Sequence, residues 1–198
     1  MQVDLFVPTP KENEHPYAEL RAQLRELAER HQIYFGTSSW KYESWWNNGD
    51  GPVYVRPYSS KREFDQRCIE EYSDIFTSVS GDFSFYTWPS LEAIERLKSQ
   101  TAPHFKFSLK CTDIITLFKF PNIDRWENVA GQLNPNFLNP DLFVDLFLQP
   151  LEPLLSAKKL GPINLEFTSF HKGVFEDWQA FAGKLGPFME RVRKRTQS

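Results

Sequence analysis

Three charged residues could carry acid–base or ligand-binding chemistry, because Asp82, Lys110 and Glu166 each follow or end a hydrophobic segment. Two carboxylates could share a proton or hold a divalent cation, since hard cations prefer oxygen ligands. An ammonium group at Lys110 could bind a phosphate or a carboxylate, or have its pKa lowered by burial. The competing interpretation is structural: each carboxylate caps a helix or forms a salt bridge with Lys110. We predict these three residues as the candidate catalytic group.

Aromatic side chains form a second candidate group, since the chain has 18 Phe, 6 Trp and 7 Tyr residues. Eight of them crowd one segment that is interrupted by Gly and Pro: Tyr34, Phe35, Trp40, Tyr42, Trp45, Trp46, Tyr54 and Tyr58. Exposed rings could stack on sugars or bases. Trp40, Tyr42 and Tyr86 are therefore predicted to bind substrate. The alternative is that the clustered rings cover the core, as large aromatic side chains usually do.

Other chemistries have weaker support in the sequence. There is no Gly-rich dinucleotide motif, phosphate-binding loop or nucleophile elbow. Cys68 and Cys111 fit no metal spacing and indicate reduced thiols, and His15, His31 and His104 show no mutual spacing typical of zinc ligands. His171 could add a ligand to Asp82 and Glu166, although a solvent-facing loop histidine is the simpler interpretation. A divalent metal is the candidate cofactor, and its identity stays open.

Hydrophobic periodicity predicts alternating helices and strands along the chain. The predicted helices cover 17–31, 61–72 with Ser59 and Ser60 as caps, 91–100, a segment that starts at Asn139-Pro140, and an interrupted segment over 174–195. The predicted strands cover 32–37, 76–79, an alternating segment over 104–111, and 163–167. A long irregular segment over 112–138 is of a kind that often carries function. The alternation predicts an α/β fold with a parallel sheet. The carboxyl ends of such strands share one rim, where we expect the candidate residues to meet.

Four motifs resemble the YecE-like family, also called domain of unknown function 72. They are Gly36-Thr37-Ser38-Ser39-Trp40 with Tyr42, Phe85-Tyr86 with Pro89, Phe105-Lys106-Phe107 with Lys110, and Leu160-Gly161-Pro162 with Glu166-Phe167 and Phe170. They occur in the family's order over roughly residues 33 to 170. The resemblance implies a TIM-type (β/α) barrel whose biochemical activity is not established. Some members are similar in shape to metal-dependent sugar isomerases and abasic-site endonucleases.

The sequence also departs from the family pattern. Ser80 and Asp82 stand where the family often has Glu and Asn, and Glu166 stands where it has Gln. Only about four strands are predicted, whereas a closed barrel has eight and typically ~250 residues. The expected fold is therefore a set of parallel βα units from an incomplete or half barrel. Open edges on the first and fourth strands would invite pairing or covering.

Composition limits the remaining function classes. A net charge of −3 argues against a strongly basic nucleic-acid binder, and the basic run over 191–195 reads as a solvated tail. No apolar run approaches the ~20 residues of a membrane helix. Residues 1–16 are predicted as an extended leader without signal-peptide character, and 17–198 as one cytoplasmic domain.

Two function hypotheses follow from these observations. One is a pocket at the strand ends that binds an anionic or polyhydroxylated small molecule or a nucleic-acid fragment, with metal-assisted hydrolase or nuclease action as its enzymatic form. The other is a non-catalytic interaction protein that self-associates through open sheet edges.

Overall fold

The computed structural model describes residues 17–46, 53–167 and 174–197. The predicted leader over 1–16 and the candidate ligand His171 lie outside these residues. The chain divides into two compact units, the first comprising Met1–Val79 and Gln100–Phe105 and the second comprising Ser80–Ser99 and Lys106–Ser198. The single domain expected over 17–198 stays a prediction. Of the helices described, none is both long and apolar enough to cross a membrane.

The first unit contains two long helices and the first strand pair. Helix α1 covers Ala18–His31, strand β1 Gly36–Thr37 and helix α2 Lys61–Ile75. Strand β2, Ser78–Gly81, begins in this unit, and β1 pairs with it in parallel through Gly36↔Ser78 and Thr37↔Val79. A 3-10 turn over Glu43–Trp45 lies between β1 and α2.

Local signals determine where α2 begins. Ser60 has an extended backbone, and its side chain accepts a hydrogen bond from the Glu63 backbone N–H. Glu63 in turn accepts hydrogen bonds from the Ser59 backbone N–H and hydroxyl group. The bond to Ser60 satisfies a backbone N–H that the first helical turn leaves unpaired, and the bonds from Ser59 hold the residue before the cap. They confirm the predicted helix start after Ser59 and Ser60.

The second unit contains the remaining helices and strands. Their bounds are α3 Phe83–Tyr86, α4 Leu91–Gln100, β3 Lys106–Lys110, α5 Asp113–Thr116, α6 Pro140–Leu142, α7 Glu152–Ser156, β4 Leu160–Asn164 and α8 Trp178–Thr196. A π-helical segment, Phe143–Leu148, and a 3-10 turn, Gln149–Leu151, connect α6 to α7. Pro150 and Pro153 lack the backbone N–H that regular α-helical bonding needs, which accounts for this irregular geometry.

Strands β3 and β4 pair in parallel, with Leu109 opposite Ile163 and Lys110 opposite Asn164. The side chains of Phe107 and Leu109 are fully buried, while the intervening positions are partly exposed, as the alternating sequence predicts. Both strand pairs described are parallel, and helices separate successive strands. This arrangement confirms the predicted α/β fold built from parallel βα units.

The starts of β1 and β4 differ most from the predicted ones. Strand β1 was predicted to begin at residue 32, but Gln32 has a left-handed backbone with φ 56° where α1 ends. The chain must turn there before it can extend, so β1 begins only at Gly36. Strand β4 begins at Leu160, three residues earlier than predicted, because Gly161 and Pro162 do not end the strand. Proline is tolerated on an edge strand, where its missing N–H costs no ladder bond.

Helix α8 also differs from its prediction, because it continues through Gly183, Gly186 and Pro187. Gly186 has no Cβ to clash with the following proline ring, which removes the usual restriction on the residue before proline. Phe188 and Val192 are buried on this helix. The basic run over 191–195 is therefore part of a packed helix and not a tail, although its basic side chains are exposed to solvent as predicted.

Candidate functional site

The second unit brings together the three charged residues predicted as catalytic. Asp82 directly follows β2, Lys110 ends β3 and Glu166 lies two residues beyond the end of β4. Lys110 Nζ lies 3.0 Å from Glu166 Oε2 and 3.3 Å from Asp82 Oδ1. The ammonium group therefore sits between two carboxylates. Both ion pairs that the structural interpretation allowed are formed at once.

Backbone anchors hold this group in place. The buried Ser84 hydroxyl donates to the Lys110 carbonyl oxygen at 2.7 Å, and the Thr112 hydroxyl donates to the Ser84 carbonyl oxygen at 2.8 Å. These bonds tie the start of α3 to the end of β3. Asp82 is two residues before Ser84, so the anchors fix the carboxylate beside Lys110.

Electrostatics keep Lys110 charged. The hydrogen bond with Glu166 is the main cause that raises the pKa of Lys110 above its ordinary value, and Asp82 adds to it against the opposing effect of desolvation. The side chain of Lys110 is 24% exposed, whereas those of Asp82 and Glu166 are 47% and 49% exposed. Lys110 is thus an ammonium ion at neutral pH and not a neutral base. Each of the two acidic side chains is thus about half exposed and can accept further hydrogen bonds.

A second ion pair lies after β3 in the same unit. The Arg125 guanidinium donates to both carboxylate oxygens of Asp113, at 2.6 and 3.0 Å, and to the Tyr86 carbonyl oxygen at 2.7 Å. It also lies 5.6 Å from the centroid of the Tyr86 ring. The Asp113 side chain is only 6% exposed. Arg125 therefore connects the long irregular segment to the end of α3.

Sequence reasoning missed Arg125. It singled out the irregular segment over 112–138, but no spacing within that segment links Asp113 to Arg125. The available signal was a buried acidic residue that needs a cationic partner. Arg125 is one of only two basic residues in that segment, the other being Lys119.

Among the three aromatic residues predicted to bind substrate, Tyr86 is the most exposed. Its residue surface is 63% exposed, and the ring packs edge-on against Phe85 with centroids 5.0 Å apart. The Lys110 ammonium in turn lies over the Phe85 ring, with Nζ 5.6 Å from the ring centroid. Tyr86, at the end of α3, thus lies in the same unit as Lys110 and the two carboxylates and is linked to Lys110 through the Phe85 ring.

Trp40 and Tyr42 belong to the first unit. Trp40 is only 8% exposed, and its carbonyl oxygen accepts a hydrogen bond from the buried Tyr54 hydroxyl. Tyr42 is partly exposed, with its ring 4.4 Å from that of Trp45. The burial of Trp40 favours the covering role over stacking on a ligand. Substrate binding by these two residues stays a prediction.

The other rings of the aromatic segment pack into the first unit. Trp46 stacks on Phe64 with centroids 5.6 Å apart, and Tyr54 and Tyr58 meet Phe64 edge-on. Glu71 on α2 accepts hydrogen bonds from the backbone N–H groups of residues 55 and 56 and from the Tyr58 hydroxyl. This part of the aromatic cluster is therefore a packed and anchored core.

The described residues offer little support for chemistry at a cysteine or at a bound metal ion. Cys68 and Cys111 are buried free thiols, and burial raises the pKa of Cys68 to about 12 and that of Cys111 still further. Both are inert at neutral pH. Within residues 17–46, 53–167 and 174–197, no group of three or more His, Cys, Asp or Glu side chains is arranged to hold a metal ion.

Comparison with solved structures finds two similar chains. One is a DUF72 family protein from Thermotoga maritima, with 20% identity, a TM-score of 0.46, and coverage of 76% of this chain and 51% of that chain. The other is a DUF72 family protein from Enterococcus faecalis, with 18% identity, a TM-score of 0.39, and coverage of 59% and 39%. The chain thus spans about half of these relatives or less. No curated protein matches the sequence.

Comparison with protein families gives a broader match. The model of the family described as "Protein of unknown function DUF72" matches residues 34–193. This range contains all four motifs noted in the sequence and every candidate residue discussed above. The chain therefore belongs to the DUF72 family.

Proposed function

We propose that the second unit binds a polyhydroxylated small molecule at the ends of β2, β3 and β4. The observation that carries this proposal is the Lys110 ammonium held between two half-exposed carboxylates. Asp82, Lys110 and Glu166 together carry a formal charge of −1, so the group disfavours an anion. Carboxylate oxygens fixed in this way are good acceptors for hydroxyl donors.

Aromatic and polar groups at the same strand ends support this ligand class. Sugars and cyclic polyols present both hydroxyl groups and an apolar face of C–H groups. The exposed Tyr86 ring offers a surface for that face, and Asp82 and Glu166 offer acceptors for the hydroxyl groups. The same residues favour a polyol over the phosphate or nucleic-acid fragment that the sequence left open, because a phosphate would be repelled by two carboxylates.

The position of Lys110 between the two carboxylates also favours simple binding over metal-assisted hydrolysis. A divalent ion shared by Asp82 and Glu166 would need the position that the Lys110 ammonium now occupies. Displacing the ammonium would break both of its ion pairs. We therefore place the metal-free binding function first.

The test is a titration of the protein with myo-inositol and D-glucose, followed by NMR chemical-shift changes, with inorganic phosphate as the anionic comparison. We expect saturable shifts with at least one polyol and none with phosphate. The double substitution Asp82→Asn with Glu166→Gln should weaken polyol binding at least fivefold. A matched double control, Asp124→Asn with Glu152→Gln, removes two exposed carboxylates elsewhere in the unit and should leave binding within twofold.

Two further variants separate the roles of charge and ring. Lys110→Met should release both carboxylates and weaken binding, whereas Lys106→Met, on the same face of β3 at its other end, should not. Tyr86→Ala should weaken binding, and Tyr86→Phe should largely preserve it. Saturable phosphate binding that depends on Lys110, or polyol binding unaffected by the double substitution, would overturn the proposal.

A further inference from the structure

A separate pocket of about 650 Å³ lies between the long irregular segment and helix α8. Its apolar wall is formed mainly by Phe118, Leu133, Phe137 and Phe188. Pockets of 300–1,000 Å³ are typical of small-molecule sites. None of the residues predicted as catalytic or substrate-binding lines this pocket, so it is independent of the strand-end site.

The charges around this pocket are all of one sign. Lys184 and Arg191 line it, and among the residues that the structure describes no acidic side chain does. They lie seven residues apart on α8, which is two helical turns, so both project from the face that also carries Phe188. An apolar wall edged by two cations is complementary to a ligand with an apolar body and a negative group.

The remaining cations of α8 are already neutralised. Arg193 and Lys194 pair with Glu190, and Arg195 pairs with Asp141 and Asp145. Among the five basic residues of this helix, only Lys184 and Arg191 have no ion-pair partner in the part of the chain that the structure describes. The two unneutralised cations are thus the two that face the pocket.

Among the described residues of the pocket wall, the one buried polar side chain, that of Asn134, already has its hydrogen bonds within the fold. Asn134 donates to the carbonyl oxygens of Ile114 and Leu117, both at 2.7 Å, and accepts from the backbone N–H of Asn136 at 2.9 Å. It rigidifies the irregular segment and leaves little capacity for a ligand. Recognition must therefore come from the aromatic wall and the two cations.

We propose that this pocket binds a small amphipathic anion, an aromatic or bulky apolar body that carries one carboxylate or sulfonate group. The apolar body packs on Phe118, Phe137 and Phe188. The anionic group pairs with Lys184 or Arg191, where burial against the wall reduces the dielectric screening of the contact. This site gives a second role to the long irregular segment, whose Arg125 also holds the end of α3.

The test uses 2-naphthoate as the probe and its neutral analogue 2-naphthamide as the comparison, with affinities measured by isothermal titration calorimetry or NMR. We expect 2-naphthoate to bind at least tenfold more tightly than the amide. The double substitution Lys184→Gln with Arg191→Gln should remove that preference. The double substitution Arg193→Gln with Lys194→Gln is the matched control, since it removes the same charge from the same helix away from the pocket, and it should change affinity less than twofold.

A second pair of variants tests the apolar wall without disturbing the core. Leu133 is 66% exposed at the pocket, and Leu155 is 62% exposed on α7 outside it. Leu133→Ser should weaken 2-naphthoate binding at least threefold, and Leu155→Ser should not. The proposal is overturned if 2-naphthoate fails to bind at millimolar concentration, binds no better than the amide, or binds the control and pocket variants alike.

Discussion

Arg125 and Asp113 show how one charged pair can order a long irregular segment. Asp113 is nearly buried, and desolvation raises its pKa above the ordinary value despite the opposing effect of Arg125. An unpaired charge in that position would be costly. The bidentate geometry and the added bond to the Tyr86 carbonyl oxygen make Arg125 the residue that neutralises it. The pair thus positions the Tyr86 ring at the candidate site.

We expect Arg125→Met to destabilise the protein more than Asp113→Asn does. Removal of Arg125 leaves a buried carboxylate unpaired, which should lower the free energy of unfolding by roughly 1–3 kcal/mol. This loss is smaller than the loss for breaking a fully buried ion pair, because the Arg125 side chain is one-third exposed. Asn at position 113 still accepts from Arg125 without burying a charge, so its cost should stay below about 1 kcal/mol. Urea unfolding at pH 7 measures both, and equal losses would contradict this account.

The same pair predicts a pH dependence. Because the folded-state pKa of Asp113 is raised, the folded state binds its proton more tightly than the unfolded state does. The contribution of Asp113 to stability is therefore largest below its ordinary pKa of 3.8 and falls as the pH rises through the raised value. The difference in unfolding free energy between the wild type and Asp113→Asn should decline over this range. A difference that grows with pH would show that Arg125 outweighs burial.

At the scale of elements, Gly36 illustrates a motif residue with a structural cause. A Cβ built on Gly36 would lie 1.8 Å from the Ser78 carbonyl oxygen of the neighbouring strand. Only glycine permits β1 and β2 to approach so closely. Part of the Gly36-Thr37-Ser38 motif is therefore explained by strand packing, without a role in ligand binding.

Gly36→Ala should separate β1 from β2 and destabilise the protein by about 1–3 kcal/mol, the usual cost of overpacking. Gly183→Ala on α8 is the matched control, because an added Cβ there meets nothing within 4 Å. In a helix that change should stabilise by about 1 kcal/mol. Thermal unfolding should show shifts of opposite sign, and similar shifts for both variants would refute the close-approach argument.

For the molecule as a whole, self-association through open sheet edges stays a prediction. The properties of strand β4 argue against pairing at its edge. Among the described residues β4 pairs with β3 alone, and Pro162 within it has no N–H to donate to an added strand. Proline on an edge is one of the features that prevent strand pairing between chains.

We therefore expect sedimentation velocity to show no concentration-dependent dimer formed through β4. A dimer that dissociates when Ile163 is replaced by Lys would instead support the interaction hypothesis. Surface Leu155→Lys on α7 is the control, because it adds the same charge outside the sheet and should leave the sedimentation unchanged.

Much of the fold was predictable from local physics. The Phe–Lys alternation predicted β3, the Ser59-Ser60 pair predicted the start of α2, and Asn139-Pro140 predicted the start of α6, where the Asn139 side chain accepts from two backbone N–H groups. These signals act within a few residues. The rule that parallel strands share one rim extended them to the expected meeting of Asp82, Lys110 and Glu166, whose catalytic role stays a prediction.

The order of helices and strands, the family motifs and the identity of the three charged residues at the strand ends followed from the sequence. Packing was needed to place Lys110 between both carboxylates, to pair Arg125 with Asp113, and to bring Lys184 and Arg191 to an apolar pocket. The difference lies in how far along the chain the interacting residues are from each other. Hydrogen-bond caps and hydrophobic periodicity depend on neighbours in the chain, whereas ion pairs and pockets depend on residues that only packing brings together.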